Sequence, residues 1–200
     1  MDLFTAIETR RAVKHYDPSA PVAPEAFEKI MQATLRSPTS YNIQHWRFVR
    51  VQDTALREQI QDAAWGQTQI TEAGELIVLC ADTQAWRNQP QRYYRNTDAD
   101  TRRVLLEMLH NFYVDQPQRQ HDEALRSCGI AAQTFMLAAS GLGYATCPMI
   151  GFDNDKVAQL INLPKDHIIA MLITLGKAAK PAHPRAGQLS LSDVLVVDRF

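Results

Sequence analysis

The chain is poor in the features that usually announce a function. Its 200 residues hold only three cysteines and eight glycines. Cys80, Cys128 and Cys147 make an odd set without CxxC spacing and lie in apolar surroundings, so they read as reduced core thiols rather than a disulfide framework or zinc site. Six scattered histidines, none with a His or Cys partner three or four residues away, argue further against bound metal. Gly141-Leu-Gly143 follows a helical segment and is not GxGxxG, which excludes a Rossmann fingerprint, and no GxSxG elbow is present. Charge of one sign is also missing. With 21 Lys+Arg against 22 Asp+Glu, the formal charge is −1, so the chain as a whole has no pull toward nucleic acid or anionic membrane. The longest mostly apolar stretch, Cys128 to Ala139, is too short and too interrupted to span a bilayer. The N-terminal residues show no secretory pattern, and a cytoplasmic location is expected.

What is present suits one large domain over residues 1–200. A chain this long buries about 70% of its unfolded surface and needs no staple. Leu3, Phe4 and Ile7 repeat at helical spacing behind Asp2, a suitable N-cap. Phe27, Ile30, Met31, Thr34 and Leu35 form a second stripe that starts at Pro24 and stops at Ser37-Pro38. A short helix is expected from Thr54 to Ala64, a third stripe from Val104 to Tyr113, a long core helix from His121 to Ser140, and another helix from Asp153 to before Pro164. Strands are predicted at Trp46–Val51, Leu76–Cys80, Tyr144–Pro148 and Ile168–Leu175, the second being an unbroken apolar run of the kind covered on both faces. Thr83 to Arg103 mixes arginines with Trp86, Tyr93 and Tyr94 and reads as a solvated connection or lid. After the Pro-rich arm 176–187, Val194–Val197 looks like a strand placed to pair away from its own preceding element, as in a second subunit.

Two clusters could carry chemistry. Arg10, Arg11 and Lys14 gather three cations at the end of a helix, a group able to grip a phosphate or simply to offset a helix dipole. Ser37 to Trp46 packs hydroxyl and amide groups into one loop, able to read a heterocycle's edge or merely to turn.

Arg10-Arg11-x-x-Lys14-x-Tyr16, then Ser37-Pro38-Thr39-Ser40-x-Asn42-x-Gln44-x-Trp46-x-Phe48, then Pro148-Met149-Ile150-Gly151-Phe152, then Gly176-Lys177-Ala-Ala-Lys180-Pro181 before an arginine, together resemble the nitroreductase family of flavin-dependent oxidoreductases. The resemblance implies an α+β, three-layer fold with a central, mainly antiparallel sheet flanked by helices. It also implies an intertwined homodimer with an exchanged C-terminal tail and FMN at the subunit interface. Carried over, Arg10, Arg11, Lys14 and Arg185 would hold the FMN phosphate and ribityl chain. Pro38, Ser40, Asn42 and Gln44 of the other subunit would meet the ring, and Gln69 its pyrimidine edge. Pro148, Met149, Ile150 and Gly151 would run beside the ring, with the Ile150 and Gly151 N–H groups near N5. Some members have serine where this chain has Ala12, which removes a hydroxyl donor, and some have glutamate where it has Ile150, which removes a side chain from nicotinamide selection.

The implied reaction is ping-pong hydride transfer from NADH or NADPH to flavin N5, then to a planar quinone or nitroaromatic, with no catalytic acid or base from the protein. Phe112 and Tyr113 are candidate walls of the acceptor pocket, or core packing. A flavin carrier or redox sensor, or a reductase of an enone or small aldehyde, is the alternative.

Overall fold

The computed structural model describes residues 1–200 and is built around a four-stranded sheet. β1 is Trp46–Val51, β2 Glu75–Asp82, β3 Ala145–Met149 and β4 His167–Gly176, in spatial order β1-β2-β4-β3. All three pairings are antiparallel, with Phe48 opposite Leu79 and Ile77 opposite Ile173. Each of these four strands lies within a residue or two of its expected ends.

Eight α-helices surround the sheet: α1 Leu3–Thr9, α2 Pro24–Thr34, α3 Thr54–Ala63, α4 Gln69–Glu72, α5 Ala99–Tyr113, α6 Pro117–Gly141, α7 Asn154–Leu160 and α8 Leu191–Val194. Local signals set many of these ends. The carboxylates of Asp2, Asp53, Asp98 and Asp153 each accept a backbone N–H of the first turn, and Pro24 and Pro117 open α2 and α6 where no intrahelical N–H is needed.

β2 is buried along its whole length because both faces are covered. Ile77, Leu79 and Ala81 pack with α2 and with the small face of α6 (Ala124, Cys128, Ala131, Ala132, Ala139). Leu76, Val78 and Cys80, one residue out of phase, pack on α3 and α7 through Ile60, Ala63 and Val157. Three layers result, as expected. The alanines let α6 approach the sheet closely, and its 25 residues cross all four strands.

Two expectations require correction. Residues 83–103 are not simply solvated, since Ala85, Trp86, Tyr93 and Tyr94 are buried with Ile43, Leu109 and Tyr113 in a satellite core. The aromatic rings of this segment pack inward between exposed polar residues, a pattern that the mixture of residue types obscured. Val194–Val197 does not form a strand: Ser190 caps α8 through a reciprocal bond with Asp193, and Val194 closes that helical turn. Leu195, Val196 and Val197 remain exposed beyond it.

Candidate flavin site

Arg10 ends α1. Its backbone N–H donates to the Ala6 carbonyl at 3.0 Å while its extended ψ turns the chain toward β3, where Ala12 bridges to Thr146. Arg11 is pinned beside it, Nη1 donating to the Glu8 and Arg10 carbonyls at 2.8 and 3.0 Å. Arg185, arriving from the C-terminal arm, leans on the same helix end, with Nη2 near the Ile7 and Glu8 carbonyls at 3.5 and 3.4 Å. These carbonyls carry the negative end of the helix and draw cations there.

Burial lowers the Arg10 pKa, and the charges of Arg185 and Arg11 lower it further. The Cys147 thiol is raised by burial and opposed by Lys14 and Arg10, so Lys14 belongs to the same neighbourhood. None of these four cations is engaged in an ion pair. Packed cations with no ion-pair partner repel one another and form a ready anion cradle. A cavity of about 560 Å³, walled by Arg10, Arg11, Thr146, the end of α6 and residues 182–184, with the unpaired Glu8 at its edge, opens beside them. The donor set fits the phosphate of FMN.

The loop 38–44 lies elsewhere on the chain. Pro38 is exposed and Ser40 half-buried. Tyr41, Asn42 and Gln44 all have left-handed φ, of 50°, 54° and 54°. Three such non-glycine residues in one loop cost roughly 1–3 kcal/mol each, a strain that clusters at binding sites. The loop is held by its polar atoms: Asn42 Nδ2 donates to the Tyr93 carbonyl at 2.9 Å, Gln44 N to Thr39 Oγ1 at 3.0 Å, and the Tyr113 hydroxyl bonds Ser40 Oγ at 2.9 Å. Asn42 and Gln44 line a cavity separate from the one beside Arg10, so within one chain the two predicted halves do not meet.

At the end of β3, Met149 is buried but Ile150 is 81% exposed. Neither the Ile150 nor the Gly151 N–H donates a hydrogen bond within the chain, which leaves both for another acceptor. Gln69 is buried one step behind: its Nε2 donates to Gln67 Oε1 at 2.9 Å, and Gln67 Nε2 in turn donates to the Gly151 carbonyl at 2.7 Å. Both glutamines touch the 148–151 segment, since Gln69 Nε2 also reaches Met149 Sδ at 3.7 Å, and of the two sequence reasoning missed Gln67. Trp65 was missed too. It is 72% exposed, sits at φ 56°, and its ring lies 3.4 Å from where a Gly151 Cβ would be. An exposed tryptophan beside Gly66 was its only signal.

Of the two proposed acceptor-pocket residues, Phe112 is 41% exposed and packs at a tilt against Tyr41 at 5.5 Å, whereas Tyr113 is fully buried. The three cysteines are free and buried, with Cys80 and Cys128 pushed up to about 12 by burial. Asp82, Asp166 and His167 bring ligand atoms within 4.8 Å of one another. That group is internally matched instead, since Asp82 accepts from Arg47 at 2.8 Å and His167 Nδ1 is 2.7 Å from Asp166.

The chain thus combines an α+β fold, its sheet covered by helices on both faces, with a cation cluster at one helix end and a free N–H pair at a strand end. Residues 7–177 match the Nitroreductase family model, and the chain belongs to that family. Protein DrgA of Synechocystis sp. (strain ATCC 27184 / PCC 6803 / Kazusa) is 44% identical over 182 residues, which cover 91% of this chain and 87% of that protein. A protein named NADH dehydrogenase from Thermus thermophilus is 28% identical over 186 residues, 92% of this chain and 90% of that one. A crystal structure of a chain from Exiguobacterium sibiricum 255-15 in complex with FMN superposes with a TM-score of 0.90 at 23% identity, covering 98% and 97% of the two chains. No helix is long and apolar enough to cross a membrane.

Proposed function

We propose that this oxidoreductase is FMN-dependent, draws reducing equivalents from NADH or NADPH, and passes them by a ping-pong mechanism to a quinone or nitroaromatic. In this reading it acts in the cytoplasm as a homodimer with the flavin between subunits. Bound FMN supplies hydride uptake and delivery at N5, so the protein needs no acid or base of its own.

The observation that carries the reading is the uncompensated cradle of Arg10, Arg11, Lys14 and Arg185. In it a phosphate would replace cation–cation repulsion with charged hydrogen bonds. The separation of the Asn42 loop from this cradle supports contribution of the two from different subunits. Free N–H groups at Ile150 and Gly151, steadied by Gln67 and Gln69, offer donors beside the ring, where they would stabilise charge that develops on reduction. The names of the relatives support a nicotinamide donor.

An anaerobic visible spectrum tests this. A yellow protein that bleaches with NADH or NADPH and recovers its colour on addition of a quinone is expected. A colourless protein that takes up no FMN would refute the reading.

A further inference from the structure

A second cationic cavity lies away from the phosphate cradle. It encloses about 440 Å³, within the ordinary range of ligand pockets of roughly 300–1,000 Å³. Asn42, Gln44 and Trp46 form one side, and Arg92, Arg95 and Asn96 of the 83–103 connection form the other, with Arg47 between them. No carboxylate lines it.

Arg47 is neutralised from behind by the nearly buried Asp82 at 2.8 Å. Arg92 is placed by its neighbour Tyr93, with its guanidinium 5.0 Å from the ring centroid and Nη2 donating to the hydroxyl at 2.9 Å. That hydroxyl passes on a bond to the buried Ala85 carbonyl at 2.8 Å, so the arginine is anchored to the satellite core. Neither Arg92 nor Arg95 has an acidic partner, and Arg95 makes no side-chain bond within the chain. The cavity therefore holds two unmatched positive charges, backed by amide groups. The indole N–H of Trp46, on the same wall, has no acceptor.

Two guanidiniums and neutral donors complement a dianion. A phosphate monoester carries roughly −1.5 to −2 charges at pH 7 and offers three acceptor oxygens. A single carboxylate would leave one guanidinium unmatched. Asn42 connects the cavity to the flavin reading, because it lines this wall and is tied to the Tyr93 carbonyl.

Resting on the reading of the donor as a nicotinamide dinucleotide, we propose that this cavity seats the 2′-phosphate of NADPH and gives the enzyme a preference for NADPH over NADH. Arg92 and Arg95 form charged hydrogen bonds to the phosphate oxygens, with Asn96 as a neutral partner, while the Gln44 amide stays bonded to Asn42.

The test is calorimetric binding of adenosine 2′,5′-bisphosphate, adenosine 5′-monophosphate and inorganic phosphate to the FMN-loaded protein and to the Arg95→Gln and Arg92→Gln variants. Arg95→Gln disturbs no internal bond and keeps the experiment clear of misfolding. The bisphosphate is expected to bind at least tenfold more tightly than the monophosphate. Each variant should reduce that advantage at least fivefold, with the kcat/KM ratio of NADPH to NADH falling in parallel. Equal binding of the two nucleotides by a yellow, NADH-reducible protein would overturn the proposal and leave the reductase reading standing. Inorganic phosphate binding as tightly as the bisphosphate would also overturn it, by assigning the cavity to the free ion. Protein that takes up no FMN yet still discriminates the bisphosphate would support the cavity assignment while removing the reductase reading.

Discussion

Replacing Arg10 and Lys14 together by alanine should separate cofactor affinity from fold stability with opposite signs. In the structure the Arg10 guanidinium is partly desolvated, repelled by Arg185 and Arg11, and unpaired with any carboxylate. Its contribution to the α1 terminus is made by the backbone N–H, which alanine retains. Each charged hydrogen bond to a phosphate contributes about 1.5–3 kcal/mol. Losing two should weaken FMN binding by about 3–6 kcal/mol, or roughly two to four orders of magnitude in Kd. The flavin-free protein loses only a repulsion, so its melting temperature should stay level or rise. Flavin fluorescence titration of the apoprotein gives the first quantity and thermal denaturation of the same sample the second. A variant that keeps stoichiometric FMN at wild-type affinity would refute the phosphate assignment, and a flavin-free variant that melts well below the wild-type apoprotein would show that the cations serve the fold instead.

Phe112→Ala should shift relative rates across a panel of quinones and nitroaromatics more than it shifts FMN affinity, because the half-exposed ring packs on Tyr41, Tyr113 and Arg119; unchanged relative rates would count against a wall at this position. His45 is buried with its pKa lowered to about 4 by burial and by Arg47, while the unfolded chain titrates near 6.5. Between those values the unfolded state binds the extra proton, so stability is complete above pH 6.5 and is lost as pH falls toward 4, by ~2 kcal/mol at pH 5. Denaturant titrations at pH 7 and pH 5 should show a smaller loss in His45→Gln than in the wild type. With thiols at about 12 for Cys80 and Cys128, the native protein should react with a thiol reagent at pH 8 only after denaturant is added. Deleting residues after Gly187 should weaken self-association, since Leu189, Leu191 and Val194 to Val197 expose apolar side chains; a sedimentation profile identical to that of the full chain would dismiss the exchanged tail.

Strand and helix positions were legible because their signals are local. The caps at Asp2, Asp53 and Asp153 and the proline at residue 24 act within four residues of where they stand, and β2 declares its double burial in the apolar run Leu76–Cys80. The cation cradle was legible in part: Arg10, Arg11 and Lys14 share one segment, and only the approach of Arg185 across more than 170 residues needed the fold. What stayed hidden depends on partners remote in sequence. Arg47 reads as a strand residue until Asp82, 35 positions away, takes up its charge. Arg92 and Arg95 read as solvated until Tyr93 and Tyr94 turn inward to the satellite core and leave the guanidiniums over a cavity whose far side comes from residues 42–46. Gln67 and Gln69 are alike in type and two apart, and only the fold shows that the first bonds the Gly151 carbonyl while the second reaches the Met149 sulfur. Residue type thus identified the groups able to bind an anion, whereas the charge left unpaired after folding decides where an anion is needed. Such a remainder is left at the end of α1 and between Arg92 and Arg95, two places that periodicity cannot single out, because a paired and an unpaired arginine have the same letter.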